Sequence, residues 1–124
     1  MSRISYVNGE YCDHHNSVIH IEDRGFQFAD GVYEVFGIIN KKIVDYNGHI
    51  NRLYNSLSEI KIKSPIHKSA YIHHIKNLLH KNQIKNGLIY LQITRGVATR
   101  DFKFPNNTKR SLVIIAKNLP DDEY

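Results

Sequence analysis

Apolar positions recur along the chain with two different periods, which separate predicted strands from predicted helices. Alternating apolar residues at Ile89, Leu91 and Ile93 predict a strand over 88–94. Spacings of three and four residues predict two amphipathic helices instead. Their apolar positions are Ile50, Leu53, Tyr54, Leu57 and Ile60 in the first, and Tyr71, Ile72, Ile75, Leu78 and Leu79 in the second.

Further strands are indicated by β-branched and aromatic residues near turn signals. Asn8-Gly9, between Tyr6-Val7 and Glu10–Cys12, predicts a two-residue hairpin, because both turn positions need a positive φ. Residues 32–39 read as a long strand, with 43–46 as its hairpin partner. The apolar run within 111–117 predicts a central strand that is covered on both faces.

The segments between these elements carry their own signals. Residues 22–31 contain two glycines and have neither helical nor strand periodicity, which predicts a constrained loop of the kind that often carries function. Asn47 or Asn51 is expected to cap the first helix, and Asn86-Gly87 to end the second. The order β-β-β-β-α-α-β-β predicts an α+β fold, an antiparallel sheet with two α-helices packed on one side.

The composition limits the classes of binding partner and the cellular compartment that we expect for this protein. The 124 residues carry a formal charge of +5, but the lysines are scattered among acids, so we expect no nucleic-acid partner. No apolar run is long enough for a membrane helix, and the first residues do not resemble a signal peptide. Cys12 is the single cysteine and cannot form an internal disulfide, which suits a reducing compartment. We therefore expect a cytoplasmic protein without a membrane partner. The eight histidines lack metal-ligand spacing, and no metal site is predicted.

Candidate binding residues lie where polar side chains interrupt structural segments. Tyr33 and Glu34 fall in an apolar strand, Arg52 lies on the polar face of the first helix, and Arg95 and Arg100 follow a strand. Arginines clustered at strand ends suit a phosphate or a carboxylate, which they bind through paired hydrogen bonds. Ordinary salt bridges and solvated arginines explain the same pattern, so the residues alone leave both interpretations open.

Three stretches in order resemble the class IV pyridoxal-phosphate aminotransferases. Residues 23–35, Asp-Arg-Gly-Phe-Gln-Phe-Ala-Asp-Gly-Val-Tyr-Glu-Val, resemble the family's D-R-G-[FY]-x-F-[GA]-D-G-[VF]-[YF]-E signature. Residues 49–53, His-Ile-Asn-Arg-Leu, resemble its H-[ILV]-x-R-L helix, and 89–96 with Arg100 and Phe104-Pro105 continue the likeness. The resemblance covers nearly the whole chain and is strongest to the bacterial D-amino-acid aminotransferases.

The resemblance implies a fold and three residue roles. The fold would be the small N-terminal domain of fold-type IV pyridoxal-phosphate enzymes. Arg52 would bind the phosphate of pyridoxal 5'-phosphate, Tyr33 would lie beside the substrate carboxylate, and Arg100 would reach that carboxylate from the neighbouring subunit. The D-amino-acid enzymes carry R-x-H, whereas this chain reads Arg100-Asp101-Phe102, so D-alanine specificity is in doubt.

The resemblance also implies a second domain. Residues 1–120 would form the N-terminal domain and 121–124 would begin the interdomain linker. Because the Schiff-base lysine of the family lies in the second domain, we expect no catalytic residue in this chain, which alone would be inactive as a truncated or split gene product. Completed by a C-terminal domain, and as a homodimer, it would transfer amino groups between D-amino acids such as D-alanine and 2-oxo acids.

Three other interpretations stay open on the sequence. The chain could be a non-catalytic dimerisation or interaction module, or the matching half of an aminodeoxychorismate lyase or of a branched-chain aminotransferase. The lyase would account for the missing histidine of R-x-H. In each case we expect the sheet face with Tyr33, Val35 and Ile39, or the loop 26–28, to expose apolar groups in the domain by itself.

Overall fold

Six antiparallel strands form one sheet in the computed structural model, which describes residues 3–120. In chain order the strands are β1 (Ile4–Val7), β2 (Glu10–Asp13), β3 (Gly31–Ile39), β4 (Lys42–Ile43), β5 (Gly87–Thr94) and β6 (Ser111–Asn118). Their order across the sheet is β2-β1-β6-β5-β3-β4. The helices are α1 (Arg24–Phe28), α2 (Tyr46–Glu59) and α3 (Ala70–Lys81), with a short 3-10 turn at His14–Asn16. The predicted linker, 121–124, lies outside the described residues.

The predicted α+β architecture is confirmed, because α2 and α3 supply the apolar side chains that cover one face of the sheet. Tyr54, Ile60 and Ile72 are partly buried, and the other seven predicted inward residues of the two helices are buried: Ile50, Leu53, Leu57, Tyr71, Ile75, Leu78 and Leu79. They form one core with alternate residues of the strands, since successive side chains of a strand point to opposite faces. The strand residues of that core include Phe36, Ile38, Ile89, Leu91, Ile93 and Ile114.

The first hairpin is also confirmed. Asn8 and Gly9 have φ values of +50° and +96°, and β1 pairs with β2 directly across them. Positive φ at both positions is what a tight hairpin of this hand requires, and Asn followed by Gly adopts it at low cost.

Four boundaries differ from the prediction. Residues 24–28 of the predicted loop form α1, whose N-cap Asp23 accepts a hydrogen bond from the backbone N–H of Gly25. The hairpin partner of β3 ends at Ile43, and Tyr46 already belongs to α2. Asp45, in the left-handed region, takes the N-cap position predicted for Asn47 or Asn51. The second helix ends at Lys81, before Asn86-Gly87, and Gly87 instead opens β5.

The second face of the sheet carries neither α2 nor α3, and within residues 3–120 only the short α1 lies against it, at the end of β5. Val113 and Ile115 of β6 are only partly buried there, so the prediction that both faces of this strand are covered is wrong for the described chain. Tyr33, Val35 and Ile39 are exposed on β3, as is Phe26 on α1, and the expected exposure of apolar groups is therefore confirmed. None of the helices within residues 3–120 is both long and apolar enough to cross a membrane.

Candidate functional site

Glu34 is the centre of a polar cluster between β3 and α2. Its carboxylate is on the helix-covered side of the strand and only 3% exposed, although its neighbours on that side, Phe36 and Ile38, are apolar core residues. Arg52 donates from Nε to Oε2 at 2.7 Å and from Nη2 to Oε1 at 2.9 Å, which is a paired interaction. His49 donates from Nδ1 to Oε1 at 2.7 Å, because an ionised carboxylate can only accept.

The spacing of α2 explains why these residues meet. His49 and Arg52 are three residues apart, so they lie on the same side of the helix, next to the face that packs on β3. The imidazole of His49 also packs on the ring of Phe36, with 5.1 Å between centroids, which fixes it beside the strand. The spacing of the helix thus places His49 and Arg52 side by side, and the alternation of the strand turns Glu34 toward them.

Electrostatics keep the cluster charged. Burial raises the pKa of Glu34, but the hydrogen bonds from Arg52 and His49 outweigh it, so the pKa of this carboxyl is lower than usual. The pKa of Arg52 is raised, chiefly by its hydrogen bonds to Glu34 and then by the negative charge of the same carboxylate. Glu34 therefore stays an anion that holds the guanidinium in one orientation at neutral pH.

Arg52 nevertheless faces solvent. Its side chain is 65% exposed, and its hydrogen bonds within residues 3–120 use only Nε and Nη2. The Nε–Nη2 edge is occupied by Glu34, which leaves both N–H groups of Nη1 and the second N–H of Nη2 for an incoming group. A phosphate would therefore approach the end of the guanidinium rather than the edge that Glu34 occupies.

Tyr33 is on the opposite side of β3 from Glu34, as expected of consecutive strand residues. Its side chain is 61% exposed, and its ring stacks on Tyr90 of β5 at 5.8 Å between centroids. Tyr33 thus lies on the face away from α2 and α3, where its hydroxyl has no hydrogen-bond partner within the described chain.

Arg100 is the third predicted residue and lies in the long loop between β5 and β6. Its Nε donates to Oε1 of Gln27 at 3.2 Å, and its guanidinium packs over the rings of Phe28 and Phe102. Within residues 3–120 it contacts neither Tyr33 nor Arg52. The structure therefore brings Arg52 to Glu34 but does not join the three predicted residues into one cluster within this chain.

A second carboxylate, Asp30, anchors the loop that carries Arg100. Arg24 and Arg95 both donate to Asp30 through Nε, at 2.8 Å and 2.7 Å. Arg24 also donates from Nη1 to the carbonyl oxygen of Asp101 at 2.8 Å, so the Asp30 pair holds the backbone next to Arg100. Burial raises the pKa of Asp30, but the two arginines lower it more, so the carboxyl remains ionised.

Sequence reasoning missed the positioning roles of Glu34, His49 and Asp30. Glu34 stood out as a charge inside an apolar strand, and that was the signal for a buried partner. His49 and Asp30 fell within the recognised stretches, but no local pattern pairs them with Glu34 or Arg95. No group of three or more histidine, cysteine or acidic residues that could hold a metal ion occurs in the described part of the chain.

Comparison with known proteins places these residues in a family. The sequence model of the family described as amino-transferase class IV matches residues 31–124. The chain belongs to the class IV aminotransferase family. D-alanine aminotransferase of Listeria monocytogenes is 38% identical over 120 residues, and that of Staphylococcus haemolyticus is 34% identical over 119. The matches cover 94% and 96% of this chain but 42% of either relative, so the chain spans less than half the length of these relatives.

Solved structures confirm the fold as that of this family's N-terminal domain. A branched-chain amino acid aminotransferase from Escherichia coli superposes with a TM-score of 0.89 at 15% identity, over 96% of this chain and 42% of that one. The 4-amino-4-deoxychorismate lyase from Pseudomonas aeruginosa superposes with a TM-score of 0.74 at 20% identity, over 94% and 40%. At these identities the likeness shows the class IV aminotransferase fold and leaves the substrate open.

Proposed function

We propose that this chain forms the cofactor-phosphate side of a pyridoxal-phosphate aminotransferase that acts on D-amino acids such as D-alanine. The observation that carries the proposal is the Arg52 guanidinium, held by Glu34 yet exposed, in a chain 38% identical to a D-alanine aminotransferase. The reaction would pass the amino group to a 2-oxo acid. A C-terminal domain would supply the lysine, because the family's catalytic lysine lies there.

The geometry around Arg52 fits a phosphate. A dianion can meet the free end of the guanidinium in solvent, while Glu34 and His49 keep the side chain from moving to other rotamers. When bound, pyridoxal 5'-phosphate supplies an aldehyde and an electron-withdrawing ring that stabilises negative charge on the substrate. The role of Arg52 is to position that group through its phosphate.

The carboxylate-binding part of the proposal uses Tyr33 and Arg100. Because they do not contact each other within the described chain, we infer that Arg100 acts on the site of a second copy, in a homodimer. In the Arg100-Asp101-Phe102 sequence, Phe102 packs 5.4 Å from the Arg100 guanidinium where the D-amino-acid enzymes have histidine. The substrate carboxylate would then depend on Arg100 and Tyr33 without that histidine.

A fusion of residues 1–120 to the unmatched C-terminal part of the Listeria relative tests the function. We expect transfer of amino groups from D-alanine to a 2-oxo acid, and Arg52→Ala should weaken pyridoxal 5'-phosphate binding about tenfold, the loss of a charge-assisted contact. Lys42→Gln, a change at an exposed lysine of β4, is the matched control. Unchanged cofactor affinity in Arg52→Ala would limit Arg52 to its ion pair with Glu34.

Phe102 in place of the histidine favours one second candidate, the matching half of an aminodeoxychorismate lyase. A parallel fusion to the C-terminal part of the Pseudomonas lyase distinguishes the two. Lyase activity there, with no amino-group transfer in the first fusion, would replace the aminotransferase proposal. A fusion that folds, binds the cofactor and has neither activity would favour the non-catalytic interaction module.

A further inference from the structure

A cavity of about 240 Å³ opens between the segment after α2 and the loop before β6. Its lining consists of Lys61, Ile62, Lys63, Arg95, Pro105, Asn107, Thr108 and Arg110. Arg52, Tyr33 and Arg100 are absent from this set, so the cavity is separate from the proposed cofactor and substrate residues. It lies below the range of about 300–1,000 Å³ that drug-sized ligands occupy, which suits a ligand of only a few heavy atoms.

The charge of the cavity is one-sided. Four cationic residues line it, and no acidic residue does. Arg95 is paired with Asp30, but Asp30 is shared with Arg24, so two guanidiniums have one carboxylate between them. Because Arg95 also donates to the carbonyl oxygens of Ile60 and Lys61, it contributes charge to the cavity rather than a free donor. Lys61, Lys63 and Arg110 form no ion pair within residues 3–120. The excess positive charge therefore favours an anion.

Arg110 adds donors that the described chain leaves largely unused. Its Nη1 makes only one long hydrogen bond, to the carbonyl oxygen of Thr108 at 3.4 Å, and its Nη2 makes none within residues 3–120. Its Nε is buried without an acceptor, so a ligand in the cavity would meet the Nη groups. The side chains of Asn107 and Thr108 add neutral donors beside it, and neither has a hydrogen bond within residues 3–120.

We propose that this cavity binds a phosphate group, as the free ion or as the end of a small phosphomonoester. A tetrahedral dianion matches the small volume, the excess of positive charge and the several N–H and O–H donors around it. Guanidinium and ammonium groups together bind phosphate well, because arginine provides directed hydrogen bonds and lysine provides a point charge. The inference is independent of the proposed aminotransferase activity.

The test uses the intact 124-residue chain, labelled with nitrogen-15 and titrated with inorganic phosphate at pH 7.5. We expect saturable shifts of the backbone amide signals of 61–63 and 107–110, with no such shifts from chloride at equal ionic strength. Glycerol phosphate in a parallel titration distinguishes a free ion from a phosphomonoester. Tighter binding of glycerol phosphate assigns the ester, and tighter binding of inorganic phosphate assigns the free ion.

Variants make the proposal falsifiable. Lys63→Gln, at an exposed position that should not affect folding, is expected to weaken binding about fivefold, the upper range for an exposed charge pair. Arg110→Met should abolish saturation, and if it fails to fold, Lys61→Gln combined with Lys63→Gln replaces it. Lys42→Gln should leave the affinity unchanged, and Arg52→Ala should leave the shifts at 61–63 and 107–110 in place. Shifts that never saturate, or affinity equal in Lys63→Gln and Lys42→Gln, would overturn the site.

Discussion

Glu34 and Asp30 lie four residues apart in the same stretch of chain, and each carboxylate accepts hydrogen bonds from two basic side chains. The partners of Asp30 are buried, since the side chains of Arg24 and Arg95 are 4% and 12% exposed and also bind backbone carbonyls. The main partner of Glu34 is Arg52, which solvent reaches freely. The same ion-pair chemistry therefore fixes a loop in one cluster and presents a guanidinium in the other.

The burial difference predicts the largest effect for Asp30→Asn. Two buried guanidiniums would lose their counter-charge, and breaking a buried pair is strongly destabilising, so we expect the free energy of unfolding to fall by about 3 kcal/mol. Urea unfolding followed by circular dichroism measures it, with Asp101→Asn on the exposed loop as the control. A loss of unfolding free energy no larger than that of the control would mean that Asp30 does not anchor the loop that carries Arg100.

Glu34→Gln should lower the free energy of unfolding by less than Asp30→Asn does. The Arg52 guanidinium that loses its partner is already in water, and glutamine keeps a hydrogen-bond acceptor, so we expect a loss of about 1 kcal/mol. The same urea experiment measures it. A loss equal to that of Asp30→Asn would show that exposure of the arginine does not separate the two clusters.

Acid should weaken both clusters in the same direction. Each carboxyl has a lower pKa in the folded chain than its ordinary value, so its contribution to stability is present above that value and is lost as the pH falls below it. We expect the free energy of unfolding to decline between about pH 5 and pH 3. Asp30→Asn and Glu34→Gln should each make that decline shallower, and an unchanged slope in both would contradict the pKa directions.

Arg52→Ala should have a small effect on stability, similar to that of Glu34→Gln. It removes two of the three hydrogen bonds to the buried Glu34 carboxylate, but water can take the place of the exposed guanidinium and His49 still donates, so we expect only a slight shift of the urea midpoint. Arg95→Ala is the matched buried comparison and should shift the midpoint clearly. Equal shifts for the two arginines would mean that Arg52 supports the fold in the way that Arg95 does.

The periodic parts of the fold could be predicted from the sequence. The inward residues of α2 and α3 and the alternation of Ile89, Leu91 and Ile93 follow from burial of one face, which leaves a regular trace in the chain. The hairpin at Asn8-Gly9 follows from backbone conformation alone. These features are local, so a single segment contains the information that sets them.

The boundaries were decided by tertiary contacts. α1 forms where a loop was predicted because Asp23 caps its first turn and itself accepts from Thr94 of β5, 71 residues further along the chain. Ile89 and Ile114 identify core strands by pattern, but the order β2-β1-β6-β5-β3-β4 depends on pairings between distant segments. Periodicity carries no information about which strands become neighbours.

The candidate site also has features that the sequence predicts and features that only tertiary contacts set. Sequence by itself determined the α+β class, the inward faces of its helices and, through the resemblance, Arg52, Tyr33 and Arg100 as candidates. Only the tertiary structure decided that Glu34 occupies one edge of Arg52 and that Tyr33 stacks on Tyr90 of β5. The physical reason is that burial patterns are encoded locally, whereas the partner of a charge is set by the packing of a helix on a strand.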